Sequence, residues 1–164
     1  MAVNPGKKFE NDFQKSINKE EVFIHRLKDG ATRTGANGEM IRLKNKNLCD
    51  FILFKGNKLV LVELKSFLGK SMSFLNIKNT IEEQEKFICN LLQETKKENI
   101  KAYFVLNFRE LEETYAIEME TFNEFYNNTD KKSINISDVK KLGKKLAQYK
   151  KRTSYRYNVD NLFN

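Results

Sequence analysis

Histidine is almost missing from this chain: His25 is the single copy in 164 residues. Cysteine is nearly as scarce, with Cys49 and Cys89 lacking C-x-x-C spacing. Together these argue against a zinc site. They also argue against a disulfide framework, so the expectation is a reduced, cytosolic protein. His25 reads as a structural residue or a phosphate neighbour, not a catalyst. No stretch approaches the apolar length of a membrane span. The opening MAVNPGKKFEND has no apolar h-region and does not read as a signal peptide. The last absence is local: from Val139 to Val159 there is no Asp or Glu.

What is present describes one soluble globular domain with enough chain for a real core. Hydrophobic residues make up 40% and aromatics 12%, with a mean hydropathy of −0.64. The formal net charge is +8 and the pI about 9.4, which favours a polyanion partner. Richness in Lys, Asn, Phe and Ile also matches AT-rich coding, so the distribution of charge carries more information than its total.

The chain is organised around Asn47–Ser66, NLCDFILFKGNKLVLVELKS. Two apolar runs flank Gly56-Asn57, a hairpin signal of the type II′ kind. Pairing outward predicts Lys55 opposite Lys58, then Phe54–Leu59, Leu53–Val60, Ile52–Leu61 and Phe51–Val62. A four-residue loop, Lys55 to Lys58, keeps this register. The next predicted pair is Asp50 opposite Glu63. Directly opposed residues have Cβ atoms about 4.5–5.5 Å apart, where like charges destabilise a sheet. A hard divalent cation compensates: Mg²⁺ takes one or two carboxylates plus water and phosphate oxygens. Lys65, two residues past Glu63, shares its face and can orient a water or stabilise charge at phosphorus. The plainer alternative is a solvated strand end with Lys65 paired to one acid. The apolar hairpin and the basic setting favour the metal site.

Asp50-Phe51-Ile52, the hairpin, and Glu63-Leu64-Lys65 resemble the PD-(D/E)xK nuclease signature, with Cys49 where that family's name has Pro. Within the superfamily the chain resembles the RecU-type Holliday junction resolvases, in a compact phage form. The likeness runs from Gly6 to Phe108 and includes Gly6-x-x-Phe9-Glu10 and Gln84. It implies that Asp50 and Glu63 bind Mg²⁺ (Mn²⁺ substituting), with the Leu64 backbone carbonyl as a further ligand. It implies that Glu10 faces the metal, through water or from just behind its ligands, and that Gln84 holds the lysine or a metal-bound water. It further implies in-line phosphodiester hydrolysis to 5′-phosphate and 3′-hydroxyl ends. Two symmetric nicks imply a homodimer.

In chain order, residues 4–18 predict a helix: Asn4 caps it, Pro5 takes the first position, and Phe9, Phe13 and Ile17 form a core stripe. Spacing alone makes Glu10 a solvated carboxylate. Val22–Leu27 predicts a strand. Lys28–Lys46 is long, Gly-containing and basic (Arg33, Arg42, Lys44, Lys46), read evenly as a DNA-contacting or a plain solvated loop. The resembled family carries a stalk at this place; here the insertion is short. The near-continuous apolar hairpin flanks predict strands covered on both faces. Ser66–Lys78 is a loop whose hydroxyls and Lys70 can meet a phosphate. Ile81–Lys96 predicts a helix capped by Thr80 and Glu83, with Gln84 in its first turn, by spacing alone a surface amide. Ile100–Phe108 predicts a buried strand parallel to the Glu63 strand, Thr114–Glu118 another, and Thr121–Tyr126 a short helix. Ser137 then caps a C-terminal helix with Val139, Leu142, Leu146 and Tyr149 on one side.

The acid-free run carries Lys140, Lys141, Lys144, Lys145, Lys150, Lys151, Arg152 and Arg156, with Tyr149, Tyr155 and Tyr157 interleaved. Clustered bases neutralise phosphates, and tyrosines pack on sugars or exposed bases. A membrane-surface helix is disfavoured by its thin apolar side.

The expected fold is α/β: a restriction-endonuclease-like mixed sheet (αβββαβ) flanked by helices, with a basic C-terminal helix and tail. Residues 1–136 form the nuclease core with its 28–46 loop, and 137–164 the basic appendage. The expected function is a Mg²⁺-dependent, structure-selective endonuclease acting on branched DNA as a homodimer, in the host cytoplasm if phage-encoded. DNA contacts fall to Arg33, Arg42, Lys44, Lys46, Lys70, Lys144, Lys145, Lys150, Lys151, Arg152 and Arg156. The rivals are another nuclease of this fold (restriction, repair or exonuclease type) and a non-catalytic DNA-binding protein.

Overall fold

A computed structural model describes residues 4–27, 32–34, 36–38, 40–42, 47, 49–77 and 99–164. The hairpin is its centre. β4 (Phe51–Lys55) and β5 (Lys58–Phe67) pair antiparallel around Gly56, which takes φ +61° as the turn requires. All five predicted pairs from Lys55–Lys58 to Phe51–Val62 are formed. β1 (Phe23–Arg26) pairs antiparallel with β4, and β7 (Ile100–Phe108) parallel with β5. β8 (Glu113–Glu118) and β10 (Lys144–Leu146) complete a six-stranded sheet of order β1-β4-β5-β7-β8-β10. Its one parallel contact falls where the expected crossover was placed.

Both faces of this sheet are covered, which explains the near-continuous apolar runs. On one face α1 (Pro5–Gln14) packs its stripe of Phe9 and Phe13, followed by Ile17, on Phe51, Leu53, Val60, Val62, Tyr103 and Val105. On the other, Leu61, Phe104, Leu106 and Ile117 meet α2 (Met119–Asn127) through Phe122 and α3 (Ile136–Leu142) through Val139. Each large side chain buried this way contributes about 1.5–3 kcal/mol. α1 begins as predicted: Asn4 Oδ1 accepts from the Gly6 N–H at 2.9 Å and Pro5 holds the first position. It is shorter than expected, ending at Gln14.

The Lys28–Lys46 segment is not structureless. β2 (Thr32–Thr34) and β3 (Met40–Arg42) pair antiparallel, and Gly38 adopts φ +78° between them. The short strands escaped the sequence reading because their side-chain pattern has no clear period. In the predicted 66–78 loop, β6 (Ser71–Ser73) pairs with β9 (Ser133–Asn135). The predicted helix over 81–96, Gln84 and Cys89 lie outside the described residues.

The C-terminal part corrects the expected basic helix and tail. α3 is capped by Asn135 in a capping box with Asp138, not by Ser137, and it stops at Leu142. The reason is Gly143. The chain passes so close to β8 there that a Cβ would stand 2.8 Å from the Ala116 carbonyl oxygen. Lys144–Leu146 then joins the main sheet against Thr114–Ala116. β11 (Gln148–Lys151) and β12 (Ser154–Tyr157) follow as an antiparallel ribbon, turning at Arg152 with φ +58°. The chain end is packed, not loose: Leu162 and Phe163 are buried, and Lys101 Nζ donates to the Asn164 carbonyl at 2.7 Å.

Polar groups of α1 hold the ribbon. The Tyr155 N–H donates to Asp12 Oδ2 at 3.0 Å, and the Tyr157 N–H to Ser16 Oγ at 3.0 Å. These satisfy ladder groups that β12 would otherwise leave unpaired at its edge.

Candidate active site

The last ladder pair of the hairpin is Phe51–Val62. Asp50 does not continue it opposite Glu63, as the register predicted. Its N–H donates to the Val62 carbonyl at 3.0 Å, so Asp50 and Phe51 both stand against Val62, the geometry of a β-bulge. Asp50 remains tied to β1, accepting at its carbonyl from the Leu27 N–H at 2.9 Å. The bulge re-aims the side chain: Asp50 Oδ2 accepts the Leu64 N–H at 2.7 Å. In an extended strand a residue's N–H and C=O point to the same neighbour. The Leu64 carbonyl therefore faces the Asp50 side of β5. Periodicity could not reveal the bulge, because one inserted residue breaks the alternation on which register reasoning rests.

Glu63 is buried to 7% exposure. Its Oε1 pairs with Lys65 Nζ at 2.7 Å, and Lys65 is part-exposed. The Lys65 pairing is the one the plainer alternative named, but the burial of Glu63 departs from a fully solvated strand end.

Cys49 occupies the position where the resembled signature has Pro. It is 1% exposed, and its Sγ–H donates to the Phe51 carbonyl at 3.2 Å. Burial first, then the charges of Glu63 and Asp50, push its thiol up to about 12. The sulfur stays a neutral thiol, and both carboxylates lie near enough to act on it. Glu10 projects from α1 and forms an ion pair with Arg26 of β1. Arg26 pairs with Phe51 across β1 and β4, so the first-helix acid lies near the start of β4 on the α1 face, whereas Glu63 and Lys65 alternate to the opposite face of β5.

Among the described residues, no three histidine, cysteine or carboxylate side chains close into a ready ligand cluster. Asp50 Oδ2 meets the N–H of Leu64, the residue between Glu63 and Lys65, and Lys65 pairs with Glu63.

The expected DNA-contacting residues distribute unevenly. Lys44 and Lys46 lie outside the described residues, and of Arg33 and Arg42 only the backbone is described. Lys70, Lys144, Lys150, Lys151 and Arg152 are exposed and Arg156 half-buried. Lys145 is exposed but ion-paired with Glu113 at 3.0 Å. Glu113 also binds Lys140 at 3.0 Å, so part of the basic run neutralises a local acid. Within the ribbon Tyr149, Lys151, Ser154 and Arg156 fall on one face by register.

A mixed sheet with helices on both faces is an α/β core, and its central hairpin is flanked by Asp50 and Glu63. The Hjc Holliday junction resolvase of the archaeal hyperthermophile Archaeoglobus fulgidus has the same fold. The two superpose with a TM-score of 0.56 at 15% identity, over 85% of this chain and 95% of that one.

The sequence comparisons then give the family. The model of the recombination protein U family matches residues 4–161, and the chain belongs to that family. The SPbeta prophage-derived uncharacterized protein YotM of Bacillus subtilis (strain 168) is 32% identical over 174 residues, covering 98% of this chain and 86% of the relative. The resemblance read from Asp50, Glu63 and Lys65 holds at the level of family and fold. The prophage relative agrees with the phage character read from the sequence. No helix among the described residues is long and apolar enough to cross a membrane.

Proposed function

We propose that this chain is a metal-dependent, structure-selective DNA endonuclease that resolves Holliday junctions by paired symmetric cleavage. The observation that supports this is the bulge at Asp50, which takes that carboxylate out of the ladder and onto the N–H of Leu64, the residue between Glu63 and Lys65. Asp50, Glu63 and the Leu64 carbonyl would hold Mg²⁺, with Glu10 acting through water; Mn²⁺ would substitute. When bound, the ion supplies a more acidic water and charge neutralisation at the scissile phosphate.

The protein's own residues do the rest. The Leu64 N–H fixes the Asp50 carboxylate in one orientation. Glu63, desolvated on strand β5, keeps the Lys65 ammonium at hand. Lys65 then orients the attacking water or stabilises the charge that develops on phosphorus. Arg26 holds Glu10 toward the same end of the sheet. Gln84, outside the described residues, would assist Lys65 or a bound water. Lys70, Lys144, Lys150, Lys151, Arg152 and Arg156 would neutralise phosphates of the bound arms, with Lys145 lent by Glu113 and Arg33, Arg42, Lys44 and Lys46 contributing from the 28–46 segment. Two symmetric nicks require two sites, so the working form is a homodimer in the host cytoplasm.

The test is incubation with a labelled four-way junction, with and without Mg²⁺. Paired symmetric nicks that need the metal support the reading. A panel of junction, flap, linear duplex and single strand separates junction resolution from a restriction, repair or exonuclease activity on the same fold. Binding with no cleavage of any substrate in Mg²⁺ or Mn²⁺ would leave a non-catalytic DNA-binding protein.

A further inference from the structure

A polar row crosses the sheet on its α1 face, opposite the face that carries Glu63 and Lys65. Ser66 Oγ donates to Asn107 Oδ1 at 3.1 Å, Asn107 Nδ2 to Thr114 Oγ1 at 2.9 Å, and Thr114 Oγ1 to Gln148 Oε1 at 2.6 Å. The first three are lateral neighbours in β5, β7 and β8. Thr114 is fully buried and Asn107 nearly so. Elsewhere this face is Val62, Leu64, Tyr103, Val105 and Ala116. An apolar row would avoid the desolvation of four polar groups. The bonds all run one way, toward Gln148. Its Nε2 amide donates to no acceptor among the described residues, and neither does the hydroxyl of Ser66 accept from any donor there.

Ser66, Asn107 and Gln148 of this row line a cleft of about 240 Å³, together with Phe9 of α1 and Tyr155 of β12. Lys8 and Arg109 also line it, both are exposed, and neither makes an ion pair among the described residues. The two acids in the lining are already engaged: Asp12 accepts the Tyr155 N–H and Glu112 the Tyr155 hydroxyl. Aromatic rings, amide donors and unpaired cations together match a planar heteroaromatic ring joined to a phosphate. The volume lies below the roughly 300–1,000 Å³ of pockets for drug-sized ligands and suits a single ring system. Ser66 is the residue after Lys65, one strand step of about 3.3 Å away.

We propose that this cleft receives a single unstacked nucleotide, its base against the Phe9, Tyr155 and Gln148 side chains and its phosphate on Arg109 and Lys8. The chemistry recognised is a nucleobase bearing a phosphate, either within a DNA strand or as a free mononucleotide. The proposal rests on the branched-DNA reading only for the source of that nucleotide: bases at a branch point lose stacking partners and are the least costly to extrude.

The test uses the full chain without divalent metal, so cleavage plays no part. A four-way junction carries 2-aminopurine at a branch-point nucleotide, and a linear duplex with the same probe is the control. Binding of the junction should change the probe's fluorescence, and binding of the duplex should not. Gln148→Ala and Arg109→Ala should each weaken the probe response by at least about tenfold, with circular dichroism confirming the fold. In parallel, the wild-type chain is titrated with dAMP and followed by amide chemical shifts, which needs no variant. Shifts at Asn107, Gln148 and Tyr155 assign the cleft to free and strand-borne nucleotides alike. Their absence, with a probe response that Gln148→Ala removes, assigns it to strand-borne nucleotides alone. An unchanged probe response in Gln148→Ala, with dAMP shifts elsewhere or nowhere, overturns the proposal. No binding of the junction at all overturns the branched-DNA reading instead, and the dAMP shifts still decide the cleft.

Discussion

Two antiparallel ribbons in this protein are built on opposite principles. The β4–β5 hairpin is apolar on both faces, turns on a glycine, and is buried between two helical layers. The β11–β12 ribbon is basic, turns on Arg152, and exposes Tyr149, Lys150, Lys151 and Arg152. The first is held by its own burial and pairing. The second is held by distant residues, Asp12 and Ser16, more than 100 positions earlier in the chain. A ribbon that holds itself can carry rigid chemistry at its end, as the role proposed for Asp50, Glu63 and Lys65 requires. One that hangs on a helix by a few polar bonds can spend its own side chains on a polyanion.

The contrast can be broken at either ribbon. The largest effect should come from Asp50→Ala. Cleavage of a labelled junction should fall by about 10²–10³-fold or more, the scale of losing a preorganised charged group, while gel-shift binding of the junction persists. A variant that cuts at the wild-type rate removes Asp50 from the site. Next, Phe13→Ala strips a fully buried ring from the layer under the β4–β5 hairpin. It should cost about 3–5 kcal/mol, read as a lowered denaturant midpoint, with both ribbons lost in one transition.

Asp12→Ala should act more narrowly. It leaves the Tyr155 N–H without its acceptor, worth about 1–3 kcal/mol. Hydrogen exchange should quicken at Tyr155 and Tyr157 while β5 and β7 keep their protection. Equal loosening of the central strands would mean that the two ribbons are not independent. Replacing Lys150, Lys151 and Arg152 together by alanine should leave stability intact. It should lower the slope of log affinity against log salt by about 0.9 for each phosphate no longer neutralised, measured on duplex and junction.

The smallest effect is in pH. Burial alone would raise Glu113 and Asp138. Hydrogen bonds from Lys145 and Lys140 to the first, and from Lys131 and the Asn135 backbone to the second, outweigh burial and hold both below the ordinary carboxylate range. A carboxylate depressed in the fold adds stability that is present above its unfolded pKa and lost as the pH falls through its folded one. The melting temperature should therefore drop as pH falls from about 5 to about 3. Glu113→Gln should flatten the part that anchors β10.

How much could be read in advance follows the same division. The hairpin register, the stripe of Phe9, Phe13 and Ile17, the Asn4 cap and the parallel placement of β7 were all legible, because each rests on local pattern. The ribbon was not legible: its first residues read as the end of a basic helix and the rest as a tail. Val139, Leu142 and Leu146 do recur at helical spacing, yet the close pass at Gly143 and the pairing of Lys144–Leu146 with β8 decide otherwise. The polar row from Ser66 to Gln148 was also invisible, since its members lie on four strands spread over more than 80 residues.

Asp50, Glu63 and Lys65 stand on the boundary. Local chemistry was enough to set Asp50, Glu63 and Lys65 on the strands at the open end of an apolar hairpin, because pairing geometry extends outward from a turn. Only the folded molecule decided how Asp50 is aimed. A bulge is chosen by competition between neighbouring strands, here Leu27 and Val62 both bonding Asp50, and such a competition depends on partners that no stretch of sequence contains by itself.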